Sequence, residues 1–253
     1  MAKIRFDDKA RICYIAIYDN ESDFYSKIES YSKDTNCDII ELRIDSIYEK
    51  EQNINKIIDI INHSNEIINN NKKYSLVTFR SKKDGGKIDL SQIEYYDIIS
   101  KIYNNTDVNA IDIEYRYYKK EPEKYDAISI GDKTTVLSFH EFEEIYNRQK
   151  TNKLLSEMIK MDKEVVKIAI FTHTKEEVLA LLDEAKKVEK KSQKNIFFVI
   201  IAMGKMGLVS RIYNEYTNTK IIYIDNKVKD IGPIGNINIK KYYELRKKIK
   251  ELI

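Results

Sequence analysis

Eight short apolar runs, each set off from the next by a longer amphipathic or polar stretch, constrain the fold of this chain more than any other feature of it. The runs cover residues 12–17, 38–42, 74–79, 110–113, 134–139, 165–170, 196–201 and 220–224. Each is about one strand long, rich in β-branched or aromatic residues, and free of internal glycine and proline. Near-continuous apolarity, as in Ile-Phe-Phe-Val-Ile-Ile at 196–201, suits parallel strands covered on both faces. The intervals carry helix-like patterns over residues 22–33, 51–69, 91–103, 152–161, 175–190 and 239–252. Thr174 followed by Lys-Glu-Glu reads as a helix start with acids in its first turn. In the last segment Tyr242, Leu245 and Ile249 fall on one stripe.

Strict alternation of strands with helices predicts an α/β fold on a parallel sheet. Eight such units in 253 residues match a closed (β/α)8 TIM barrel, which takes about 250. An open doubly wound sheet is the alternative. It would offer a glycine-rich phosphate turn after the first strand, where this chain has Tyr-Asp-Asn-Glu after Ile17. No linker rich in Pro, Gly or Ser interrupts the pattern, so residues 1–253 are expected to form a single domain.

Composition narrows the function. Forty-four basic against 41 acidic side chains leave a net charge of only +3, and nucleic-acid binding is not expected. The lysine-rich stretch 186–194 reads as the solvated end of a helix. No run approaches the roughly 20 apolar residues of a membrane-spanning helix, and the first residues are charged where a secretory signal is apolar. A cytoplasmic protein with no membrane partner is expected. Cys13 and Cys37 sit beside apolar runs and read as buried, reduced thiols.

In a barrel, chemistry belongs at the C-terminal ends of the strands. There the sequence places Glu41, Arg43 and Asp45, then Arg80 and Asp84 before paired glycines, then Asp112 and Glu114, then His140, and finally Met203 followed by Arg211. Lys167 lies inside Val-Val-Lys-Ile-Ala-Ile, where an ammonium is costly unless paired or neutral. A neutral amine is the form that attacks a carbonyl; a snorkelling lysine at a strand edge is the bland alternative. His140, closing the preceding strand, is the natural proton carrier beside such an amine. Arg43, Arg80 and Arg211 point to an anionic small-molecule substrate, because a guanidinium holds a carboxylate bidentately. Glu41, Arg43 and Asp45 could equally form a structural ion-pair ladder. Gly85-Gly86 is either a turn or a point of close backbone approach. His63 lies in a polar helix and reads as a surface residue, whereas His173 follows the sixth strand. Without an HExxH or HxH pattern the histidines predict no metal site.

Six segments together resemble type I 3-dehydroquinate dehydratase: Glu-Leu-Arg-Ile-Asp at 41–45, Thr-Phe-Arg-Ser-x-x-x-Gly-Gly at 78–86, Asp-Ile-Glu at 112–114, Ser-Phe-His-Glu-Phe at 138–142, Val-Lys-Ile-Ala at 166–169, and Met-Gly-Lys-Met-Gly-Leu-Val-Ser-Arg at 203–211. They fall in order along nearly the whole chain. The resemblance implies a barrel lyase of the shikimate pathway that dehydrates 3-dehydroquinate to 3-dehydroshikimate, with no metal or diffusible cofactor. It implies that Lys167 forms an imine with the ketone and that His140 moves the protons. Glu41, Arg43 and Arg80 then hold ring hydroxyls, Arg211 grips the carboxylate of this cyclic hydroxy-ketoacid, and Met203 joins the binding set. A homodimer is implied as well.

The chain departs from the family pattern at two single positions and in one loop. Asp84 stands where a glutamate often supports the histidine, and Ala16 replaces a first-strand serine. The last loop reads Gly232-Pro233-Ile234-Gly235-Asn236 in place of Ser-Ala-Pro-Gly-Gln, so Asn236 must do the work of glutamine with a shorter reach. These departures keep two other readings open: a Schiff-base lyase or aldolase acting on a related hydroxy-ketoacid, and a non-catalytic metabolite-binding barrel.

Overall fold

The computed structural model describes residues 3–129, 131–144, 146–192, 196–228 and 236–251. Eight strands run β1 (Arg11–Ile17), β2 (Ile39–Arg43), β3 (Tyr74–Thr78), β4 (Ala110–Glu114), β5 (Thr134–Glu141), β6 (Val165–Phe171), β7 (Phe197–Met203) and β8 (Ile221–Ile224). They form one parallel sheet in the order β7-β6-β5-β4-β3-β2-β1-β8, and the fold is the (β/α)8 barrel. Every expected strand is present, displaced by at most two residues at either end.

Contacts divide the chain into two compact units: Met1–Arg5 with Cys13–Phe139, and Phe6–Ile12 with His140–Ile253. In the first unit, β2 pairs with β3 in a register that sets Arg43 opposite Thr78, and β3 pairs with β4 so that Thr78 faces Asp112. Glu114 in turn faces Ser138 across β4 and β5. The polar residues that end these strands are therefore neighbours by register, not by sequence.

The first unit's helices are α1 (Glu21–Lys33), α2 (Ile44–Glu51), α3 (Ile54–Asn70), α4 (Gln92–Asn105), α5 (Tyr115–Tyr118) and α6 (Pro122–Ser129). In α3 the apolar residues Ile57, Ile60, Ile61 and Ile68 recur at helical spacing and are fully buried. Each such isoleucine contributes roughly 1.5–3 kcal/mol relative to exposure. Ser91 and Glu94 close a reciprocal capping box at the start of α4. Tyr95 of α4 stacks on Tyr117 with centroids 4.0 Å apart, and its hydroxyl accepts from the Glu114 amide at 2.9 Å. That bond ties α4 to the end of β4.

The second unit carries α7 (Arg148–Met158), α8 (Lys175–Lys191), α9 (Leu208–Ile212) and α10 (Ile239–Lys250). Thr174 caps α8 as expected, in a capping box with Glu177. Val178, Leu181, Leu182, Ala185 and Val188 form its buried stripe. β6 pairs with β7 residue by residue from Val165 opposite Phe197 to Phe171 opposite Met203.

The helices differ from the sequence expectation in specific ways. The helix expected over 51–69 begins at Ile54, and a separate helix, α2, precedes it. Gln52 adopts a left-handed backbone (φ 49°) that ends α2, and the Asn53 side chain then accepts from Asn55 and Lys56 to start α3. α7 starts at Arg148 rather than 152 because Asn147 caps it. Cys13 and Cys37 are buried thiols outside any disulfide, and His63 is exposed, its ring edge-on to Tyr25.

Candidate active site

The first unit brings Arg80, Asp84, Asp112, Glu114 and Ser138 into one buried cluster. Arg80 is 4% exposed and donates to Glu114 at 3.1 Å and to the Ser138 hydroxyl at 2.9 Å. Its other terminal nitrogen lies 3.0 Å from Asp112, and Asp84 stands 3.9 Å away. Ser138 in turn donates to Asp112 at 2.6 Å. Burial opposes the guanidinium charge, but Asp112, Glu114 and Asp84 outweigh it and hold the Arg80 pKa well above its usual value.

Asp84 reaches this cluster through the paired glycines. It ends a short 3-10 turn, Lys82–Asp84, that Gly85 closes at φ 91°. A Cβ on Gly86 would lie 1.9 Å from the Arg80 carbonyl oxygen. The glycines thus serve both as the turn and as the close approach, bringing Asp84 back to within 3.9 Å of Arg80. There Arg116 donates to Asp84 at 2.8 Å while its guanidinium lies 4.2 Å from the centre of the Phe139 ring. Arg116 did not stand out in the sequence; its only signal is a lone charge among Tyr115, Tyr117 and Tyr118.

Three carboxylates thus share two guanidinium groups. Glu114 accepts from the Ser81 amide at 2.8 Å and the Ser81 hydroxyl at 2.6 Å, yet burial pushes its pKa up, to about 7, against the pull of Arg80. The folded state therefore holds this proton more tightly than the unfolded chain, and the group's contribution to stability declines as pH rises from about 4.5 to about 7. Glu114→Gln should remove that decline. Urea midpoints across this range should show the wild type losing roughly 2–3 kcal/mol relative to the variant; parallel curves would refute the assignment.

Arg43 is committed to Asp45 by a bidentate pair, at 2.8 and 2.7 Å. Glu41, 3% exposed, accepts instead from Thr78 at 2.7 Å. Of the possible ladder, only its Arg43–Asp45 rung is a close pair in this geometry. Asp45 also accepts from the Arg80 amide at 3.3 Å, linking the ends of β2 and β3.

The second unit holds the other expected residues. Lys167 is 4% exposed and donates to the Tyr223 hydroxyl at 2.9 Å. His140 is 9% exposed at the end of β5, with its ring nearly parallel to Phe142 at 6.4 Å. Arg211 projects from α9, donates to the Ala202 carbonyl at 3.0 Å, and has its pKa lowered to about 10 by burial. Met203 is buried, and its carbonyl accepts from the Thr172 hydroxyl. Asn236 donates to Asp225 at 2.6 Å, while Gly232, Pro233, Ile234 and Gly235 lie outside the described residues. His173 is exposed after β6, with its ring against Phe171. Among the described residues no group of three or more His, Cys, Asp or Glu is placed to hold a metal ion, and no helix is long and apolar enough to cross a membrane.

Residues 12–250 match the family model described as type I 3-dehydroquinase. A 3-dehydroquinate dehydratase of Clostridium novyi is 28% identical over 216 residues, covering 84% of this chain and 82% of that protein. One from Streptococcus pneumoniae is 31% identical over 169 residues, or 66% of this chain and 72% of the other. The crystal structure of the type I 3-dehydroquinate dehydratase of Clostridium difficile superposes with a TM-score of 0.85 at 23% identity, over 100% of both chains. With the family model spanning nearly the whole sequence, the chain belongs to the type I 3-dehydroquinase family.

Proposed function

We propose that this chain is a hydro-lyase of the shikimate pathway, dehydrating 3-dehydroquinate to 3-dehydroshikimate through an imine on Lys167, with His140 as acid and base. The observation that carries the reading is a lysine amine buried on an apolar strand in a member of this family. A buried amine is driven toward its neutral form, which is the nucleophile a ketone requires.

The chemistry balances without a cofactor. The Lys167 amine adds to the C3 ketone, and loss of one water leaves a protonated imine. The imine makes C2–H acidic, because the electron pair released there is drawn toward nitrogen. His140 takes that proton, and the C1 hydroxyl then leaves as water with a proton returned by His140. Water finally hydrolyses the imine and restores the amine. In this reading Glu41, Arg43 and Arg80 hold ring hydroxyls, Arg211 faces the substrate carboxylate, and Met203 and Asn236 complete the pocket. Asp84 takes the place of the glutamate that supports the histidine, with Arg116 as its own anchor. A cytoplasmic homodimer belongs to the same reading.

The test is incubation with 3-dehydroquinate and borohydride, with mass spectrometry of the adduct and the enone absorbance followed in parallel. An adduct on Lys167 with enone formation is expected. No adduct and no enone would refute the enzyme reading, whereas an adduct without enone would favour a related hydroxy-ketoacid substrate. His140→Ala should slow enone formation by about 10²–10⁴-fold while borohydride still traps imine on Lys167. Equal turnover in wild type and variant would remove His140 from the mechanism.

A further inference from the structure

Tyr223 lies outside the family motifs, yet its hydroxyl accepts a hydrogen bond from the Lys167 amine. Within the second unit β7 lies between β6 and β8: Val165–Phe171 pairs with Phe197–Met203, and the Lys220 amide, just before β8, donates to the Phe198 carbonyl. In barrels of this class, alternate strands fill one interior layer. Lys167 of β6 and Tyr223 of β8 meet in that way, 4% and 9% exposed. The amine is 2.9 Å from the phenol oxygen and 4.1 Å from the ring centre, so it sits over the oxygen-bearing edge of the ring.

We infer that Tyr223 is a positioning residue for the nucleophile, its hydroxyl setting the direction in which the Lys167 amine attacks. A lysine amine ends a four-carbon stem with free rotation about its last bond, and that freedom must be lost before the lone pair can meet a carbonyl carbon. When one N–H is donated to Tyr223, the tetrahedral geometry of nitrogen turns the lone pair away from the phenol. The flat ring meanwhile bars the amine from one side. Phenylalanine would keep the wall and lose the bond. The hydroxyl is therefore the part of Tyr223 that orientation depends on.

This inference rests on the imine chemistry proposed above, and Tyr223→Phe tests it separately. Borohydride-trapped adduct on Lys167 is measured in single turnover as a function of 3-dehydroquinate concentration, in wild type and variant. The saturating rate of trapping should fall about tenfold, the scale of one hydrogen bond. The half-saturating concentration should stay within about twofold, since the bond is to the nucleophile and not to the substrate. The thermal midpoint should stay within about 2 °C, because the ring and its packing remain. Equal saturating rates in a wild type that does form the adduct would overturn the positioning role and leave the imine mechanism standing. A lower rate accompanied by a fall of more than about 5 °C would overturn it in favour of a packing role. A wild type that forms no adduct would overturn the imine reading and this inference with it.

Discussion

Lys167→Ala is expected to abolish borohydride trapping and to lower enone formation by about four orders of magnitude or more, roughly 5–6 kcal/mol in the barrier. The size of the effect follows from what the imine does. Without it, the electron pair left at C2 has no sink, and among the described residues of the second unit no other lysine is buried within a strand. The variant should nevertheless fold. Alanine removes a buried amine, whose desolvation opposes folding, and also removes apolar methylenes worth about 0.8 kcal/mol each. These effects oppose one another, so the unfolding free energy should move by no more than about 2 kcal/mol. Circular dichroism and urea midpoints check this. A folded variant that retains turnover would remove Lys167 from the chemistry.

The second large effect is on stability. Arg80→Met is expected to cost about 3–5 kcal/mol, because it strips the cation from Asp112 and Glu114, both held away from water, while Asp84 keeps Arg116. Methionine matches the length of the arginine stem, so packing loss is small beside the charge effect. Asp112 and Glu114 lie 3.0 and 3.1 Å from the guanidinium with fully buried side chains, and Ser138 also loses its donor. The loss should shrink as pH falls, because carboxyl groups that take up protons no longer need the cation. Asp112→Asn in the Arg80→Met background should recover part of it, since removing one of the stranded charges relieves the others. Urea unfolding of the four chains at two pH values measures the coupling. Additive losses would show that the network is not energetically linked.

Strand placement was readable because each run is short, apolar and free of breakers, and parallel burial demands that pattern. Helix boundaries were less readable where caps decide them. Gln52 carries no sequence signal for a left-handed backbone, so the segment expected from residue 51 runs across the break and α2 is not foreseen. Asn147 is an ordinary asparagine until its side chain is seen to accept from Lys150 at 2.9 Å. The polar groups at the strand ends were visible one by one, because a charge interrupting an apolar run is conspicuous.

What the sequence by itself determined, then, is the strand-helix alternation, the family motifs and the histidine, lysine and arginine candidates. Only the tertiary structure decided the partners of those groups. Arg43, Arg80 and Arg211 read alike as anion-seeking side chains, yet Arg43 is clamped by Asp45, Arg80 is enclosed by three carboxylates, and Arg211 donates to a backbone carbonyl. Arg116 and Tyr223 gained their significance from strand register and a glycine-permitted turn that set them beside Asp84 and Lys167. The reason is physical: hydrophobic periodicity is a local property of the chain, whereas the charge state and direction of a side chain depend on neighbours tens of residues away that only packing brings within 3 Å.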